Sequence, residues 1–148
     1  MIQFYIKKFE ELSSIELYQI LQLRSEVFVV EQNCVYQDID SRDLDSFHVM
    51  AIFNNEIMGY SRLLPKGISY EAYCSIGRVL IRKNYRIRNY GKKLMQKSIE
   101  YCHLHFDAPI KISAQLYLEK FYRSLGFTSV SAPYLEDDIP HIVMKYDG

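Results

Sequence analysis

Between residues 90 and 105 the apolar positions return every three or four residues. Leu94, Met95, Ser98, Ile99 and Cys102 fall on one side of a helical projection, and Lys93, Gln96, Lys97 and Glu100 fall on the other. That spacing predicts an amphipathic helix lying on a sheet. An earlier helix is predicted over about 14–30. Leu17, Ile20, Leu21, Val27 and Phe28 supply its apolar face, Ser13 or Ser14 its cap, and Glu16 its first-turn carboxylate. Strands are predicted over about 2–8, 47–53 and 57–64, the last two joined at Asn54-Asn55, a good hairpin turn. An acidic loop, about 31–46, precedes that hairpin. After Pro65-Lys66-Gly67 come a strand (about 75–82), the long helix, a strand (about 110–115), a short helix (about 117–125) and two final strands. Strands with two intervening helices predict an α/β or α+β sheet protein.

Composition narrows this picture. With 148 residues, 49% of them apolar and 24% charged, the chain fits one compact domain spanning 1–148 with an ordinary core. Eighteen basic residues balance eighteen acidic ones, so no global field draws in nucleic acid or an anionic membrane. The sequence starts Met1-Ile2-Gln3-Phe4-Tyr5 without a basic leader, and no apolar run reaches membrane-spanning length; a cytoplasmic protein is expected. Cys34, Cys74 and Cys102 are odd in number and widely spaced, which fits reduced thiols. Asp38-Ile39-Asp40-Ser41-Arg42 begins like a calcium loop, but Arg42 occupies a ligand position. Cys102, His103 and His105 cannot all face one ion from one helix. No metal is expected.

Candidate chemistry centres on Gly77-Arg78-Val79-Leu80-Ile81 and the following Arg86-Ile87-Arg88-Asn89-Tyr90-Gly91-Lys92. A strand here feeds a basic turn that opens a helix. The first-turn N–H groups of such a helix lack partners and its dipole favours anions, so a diphosphate suits it; a merely solvated basic surface is the plainer alternative. A second segment, Ile112-Ser113-Ala114-Gln115 with Phe121-Tyr122 and Gly126-Phe127, reads as a strand, a short helix and a glycine stop.

Together these segments resemble the GNAT superfamily of acyl-CoA-dependent N-acyltransferases. Its Arg/Gln-x-x-Gly-x-Gly/Ala turn is matched by Arg86 to Gly91, with Asn89 in place of the first glycine; Asn is the non-glycine residue that best tolerates φ > 0. Leu23-Arg24 through Val27-Phe28-Val29-Val30-Glu31-Gln32, with Cys34, Tyr36, Asp38, Asp40, Asp43 and His48, resembles the ElaA branch. Glu136-Asp137-Asp138-Ile139-Pro140-His141 does so too, with Asp138 where that branch tends to have Gly.

The resemblance implies a GNAT-like fold, a mixed central sheet with splayed strands flanked by helices, and an acetyl-CoA-dependent N-acyltransferase without a metal. The pantetheine arm would pair with the backbone of Val79, Leu80 and Ile81, and Arg86, Arg88, Asn89, Tyr90, Gly91 and Lys92 would hold the diphosphate. A backbone N–H of Val79 or Ile81 would polarise the thioester carbonyl. Tyr122 matches the family's tyrosine acid, and Gln115 would bond the cofactor arm; simple packing is the alternative for Tyr122.

Attack needs a neutral amine. A lysine-like amine with pKa near 10.4 is roughly 4–5 kcal/mol from that state at pH 7, so a base is expected. The candidates are Glu31, His48 and His141. Glu31 comes first, because Val27, Phe28 and Val30 would raise its pKa toward neutrality. His141 is also a substrate-site candidate, beside Asp137 and Glu31. Glu31, Asp38, Asp40, Asp43, Asp45, Glu136, Asp137 and Asp138 would form an acidic rim favouring a cationic amine, unless they are two solvated loops. The expected acceptor is a small-molecule or peptide amine. Tyr70, Tyr73, Tyr117 and Tyr134 would serve either that pocket or a homodimer face. A non-catalytic acyl-CoA-binding module and an acyltransferase like the acyl-homoserine-lactone synthases are the rival readings.

Overall fold

The computed structural model describes residues 1–148. Strand β1 (Gln3–Lys8) leads to helix α1 (Ser14–Arg24), which continues as a π-helical segment, Ser25–Glu31. Then come β2 (Phe47–Phe53), β3 (Glu56–Leu64), β4 (Ser75–Ile81), α2 (Tyr90–His105), β5 (Lys111–Gln115), α3 (Glu119–Ser124), β6 (Phe127–Ser129), β7 (Tyr134–Glu136) and β8 (Ile139–Tyr146). The chain ends in three strands rather than the predicted two.

β1 to β4 form an antiparallel meander in sequence order. β8 carries β5 on one edge and both β6 and β7 on the other. The two sheets meet where β4 and β5 run parallel, and only at their starts. There the Cys74 N–H donates to Pro109 O at 3.0 Å and the Lys111 N–H to Cys74 O at 3.0 Å. Beyond this bridge the strands splay apart.

Strand periodicity decides which helix covers which face. On β2, Val49 and Ala51 join the larger core cluster with α2, while Met50 and Ile52 turn to the smaller one under α1. β3, central in its sheet, is buried at every position but Glu56. In α2 the five buried residues are Leu94, Met95, Ser98, Ile99 and Cys102, the face predicted from spacing. α1 opens with a capping box: the Glu16 N–H donates to Ser13 Oγ at 3.0 Å and the Ser13 N–H to Glu16 Oε1 at 2.8 Å. No helix is long and apolar enough to cross a membrane.

Two departures from regular geometry place the site. After Arg24 the helix widens, with the Gln32 N–H donating to Val27 O and the Cys34 N–H to Val29 O, five residues back in each case. In β4 a bulge sets Arg78 and Val79 against Ser61, and Arg78 adopts φ 50°.

Candidate active site

The splay opens into a cleft of about 1010 Å³. One wall is β4, whose outer edge beyond Cys74 has no strand partner, so backbone groups of Val79, Leu80 and Ile81 line the cavity. Opposite stand Gln115 of β5 and Tyr122 of α3. Arg86, Asn89, Gly91 and Lys92 close one end. Tyr70, Tyr134, Glu136, Asp137 and His141 close the other.

The diphosphate end is built from backbone. Asn89 has φ 56° and ψ 25°, so it supplies the left-handed turn that a glycine usually fills. Its side chain does not cap α2, and the first amide inside the helix to find an acceptor is that of Lys93, bonded to Asn89 O at 3.2 Å. The preceding N–H groups remain available to an anion. Arg86 donates through Nε to Ile81 O at 2.7 Å, which fixes the guanidinium beside the end of β4. Of the residues expected here, Arg88 and Tyr90 do not line the cleft.

Two expected bases are corrected by their surroundings. Glu31 reaches the cleft because the π turn rotates it there, but both its oxygens accept from Arg86, from Nη2 at 2.9 Å and from Nη1. That hydrogen-bonded guanidinium outweighs partial burial and holds the carboxyl below its ordinary range, opposite to the expected upward shift. Val30, counted among its apolar neighbours, is largely exposed. His48 is buried outside the cleft. Its Nε2 donates to Asp43 O at 3.0 Å and its Nδ1 accepts from the Tyr60 hydroxyl at 2.6 Å, while burial lowers its pKa. Both ring nitrogens are spent in the core.

The acidic rim also contracts. Asp38, Asp40 and Asp43 turn inward onto Arg24, Arg62 and Arg78. Three arginines and three aspartates cancel, and Glu136 and Asp137 are the unneutralised carboxylates left lining the cleft. This network was not foreseen, although its signal was present: Arg24 sits on the apolar face of a helix and Arg78 inside an apolar strand. Arg78 links the network to the site. It donates from Nε to Asp38 Oδ1 at 2.6 Å and from Nη2 to Asp38 O at 2.9 Å, which holds the bulge in its unusual conformation.

Gln115 pairs with Gln32 rather than standing free. The two amides donate to each other at 3.1 and 3.2 Å. Residues 31 and 32 thus span the splay, one gripping Arg86 and the other β5. Tyr122 is buried, its ring set edge-on to Phe121 and Phe127 at centroid distances of 5.2 and 5.8 Å. Its hydroxyl makes no hydrogen bond within the chain, and burial pushes its pKa up, so it stays protonated. The group lines the cleft with its proton in place.

Splayed parallel strands, an open helix start and a buried tyrosine are the parts expected of an acyl-CoA site. Residues 12–147 match the acetyltransferase (GNAT) domain family. The chain belongs to this family. It is 44% identical over 147 residues to the protein ElaA of Escherichia coli (strain K12), a match covering 97% of this chain and 95% of ElaA. The crystal structure of Escherichia coli ElaA superposes with a TM-score of 0.92, over 99% of this chain and 100% of that one. An acyl-CoA N-acyltransferase from Pseudomonas aeruginosa, 40% identical, superposes at 0.90 over 99% of both chains. The fold is therefore the GNAT acyl-CoA N-acyltransferase fold, α+β, with two antiparallel sheets and three helices. The AHL synthase LasI reaches a TM-score of 0.80 over 98% of this chain at 14% identity, which is a likeness of fold alone.

Proposed function

We propose that this GNAT protein transfers an acetyl group from acetyl-CoA to a primary amine of a small molecule or peptide, by direct attack within a ternary complex. The observation carrying this reading is the splay itself: an open β4 edge faces a protonated, unpartnered Tyr122 hydroxyl across one cavity.

Pantetheine fits the cleft as an added strand along Val79, Leu80 and Ile81, with the diphosphate on the amides of Asn89, Gly91 and Lys92. The bulge frees Val79 from the ladder, which favours its N–H over that of Ile81 as donor to the developing oxyanion. The amine nitrogen closes the N–C bond, the C–S bond opens, and Tyr122 gives its proton to the leaving sulfur. Holding both substrates in one cleft supplies the proximity term, up to ~7–11 kcal/mol. Glu136 and Asp137 at the acceptor end favour a cationic amine. Glu31 serves here as a partner of Arg86.

The test is release of free thiol from acetyl-CoA across a panel of cationic and neutral primary amines. Amine-dependent release supports the reading; tight CoA binding without release on any amine supports the binding module instead. Glu31→Gln separates the two roles of that residue. Because its carboxylate and a diphosphate compete for one guanidinium, the variant is expected to lower the KM for acetyl-CoA severalfold, with kcat changed less than twofold, in steady-state kinetics. A loss of kcat beyond tenfold would restore Glu31 as the base. The ion pair is partly exposed, so its removal should cost only about 0–1 kcal/mol of stability.

A further inference from the structure

With Glu31 and His48 committed elsewhere, the proton acceptor has to come from the far end of the cleft. His141 stands on β8 directly opposite Gln115 of β5 and opposite Tyr134 of β7, so backbone ladders fix it from both sides. Its Nδ1 lies 2.7 Å from Ile139 O. A carbonyl only accepts, so Nδ1 carries the hydrogen, and in the neutral ring Nε2 keeps an unshared pair. Nε2 is 3.7 Å from Glu136 Oε2, too far for a direct hydrogen bond. The residue is 7% exposed, yet it lines the cleft. A tautomer fixed by a carbonyl, a bare nitrogen and a carboxylate close enough to stabilise an imidazolium are the parts of a general base.

We propose that His141 is the base that deprotonates the acceptor, with Glu136 drawing the ammonium in. This rests on the acetyl-transfer reading above. His141 Nε2 takes one proton from the ammonium and passes it to solvent. The freed nitrogen pair forms the N–C bond, and the second N–H proton leaves by the same route as the tetrahedral adduct collapses. The C–S bond breaks, the thiolate takes the Tyr122 proton, and Tyr122 regains one from solvent. The sum is amide, free CoA thiol and one released proton. The titratable groups facing the ring are Glu136 and Tyr134 of β7, with Tyr70 beyond them, its hydroxyl held up by burial and by its proximity to Tyr134 and Glu136.

The experiment compares wild type with His141→Gln and His141→Asn on acceptors chosen from the amine panel: a lysine side-chain amine of pKa about 10.4 and a peptide α-amine of about 7.7–8.0. For the lysine amine, kcat/KM at pH 7 is expected to fall by ~10²–10³-fold in both variants, with loss of the acid limb of the pH profile. For the α-amine the fall should be at least tenfold smaller, since about a tenth of that acceptor is already neutral at pH 7, against less than about one part in a thousand of the lysine amine. Nitrogen-15 imidazole spectra of the wild type, which need no turnover, should show the neutral His141 ring with its proton on Nδ1 and a bare Nε2. CoA affinity by calorimetry should stay within twofold, which separates a lost base from a disturbed cleft. Active variants with an unchanged profile on both amines would overturn His141 as base and leave acetyl transfer standing. Spectra with the proton on Nε2 would also overturn it. A wild type with no amine-dependent release would overturn both readings together.

Discussion

Replacing Arg24 by methionine is expected to destabilise the protein by about 3–5 kcal/mol, because it strips a fully buried guanidinium from two carboxylates that stay buried. Arg24 donates to Asp38 Oδ2 at 2.9 Å, to Asp43 Oδ1 at 2.6 Å and to Asp38 O at 3.1 Å. Methionine keeps much of the volume, so the loss measures one uncompensated buried charge, three aspartates facing the two arginines that remain, rather than a cavity. For a chain of this length the melting temperature should fall by about 10 °C. Combining Arg24→Met with Asp43→Asn should cost less than the sum of the single changes by about 1–3 kcal/mol, since the second removes a charge that the first has stranded.

Acid sharpens the same test. Burial alone would raise the Asp43 pKa, but the Arg24 hydrogen bond and the charges of Arg24 and Arg62 outweigh it and leave it below the ordinary 3.8. Asp40, bound by Arg62 and Arg78, shifts the same way against its own burial. A depressed carboxyl pKa contributes stability that is present above about pH 4 and lost as pH falls through the folded value. The gap between wild type and Arg24→Met should therefore narrow below pH 4, as followed by chemical denaturation. Function is coupled to this network, because Asp38 also holds Arg78 and with it the β4 bulge; the variant should raise KM for acetyl-CoA while it is still folded.

How much of this was legible in the sequence follows from the range of each interaction. α2 was readable because its period repeats over four turns, and the hairpin at Asn54-Asn55 because two adjacent residues set it; both have positive φ. The π segment was not, since Val27-Phe28-Val29-Val30 is apolar all round and hides a change of period. β7 is three residues long, and its turn uses Asp137 and Asp138 at φ 50° and 63°, where glycine would have announced it. Within the site, the diphosphate turn is contiguous in sequence and so could be read. Glu31 could not, because the partner that decides its charge, Arg86, is 55 residues away, and the Gln32 partner Gln115 is 83 away. Sequence neighbours gave Glu31 an apolar setting, whereas the fold gives it a guanidinium.

Tyr122→Phe is expected to lower kcat by ~10–10²-fold with the fold intact. The hydroxyl has no partner within the chain and opens on the cleft, so its removal strands no other group, and the melting temperature should hold. The ring contacts with Phe121 and Phe127 need no oxygen and persist in phenylalanine. What disappears is a proton at the leaving sulfur. A thiol with pKa near 8.5 is a fair leaving group unaided, which keeps the loss toward the lower end of the ~10²–10⁴ typical of acid–base catalysis, and smaller than that expected for the base. The loss should appear in kcat, since the proton is transferred only as the C–S bond breaks, with KM for acetyl-CoA moving less than about twofold. Leaving-group dependence gives the sharper readout. With a thioester of a more acidic aryl thiol the departing sulfur needs little protonation, and wild type and variant should converge. If Tyr122 only packs, the two enzymes will match on acetyl-CoA from the start, and the acid must be sought elsewhere along the splay.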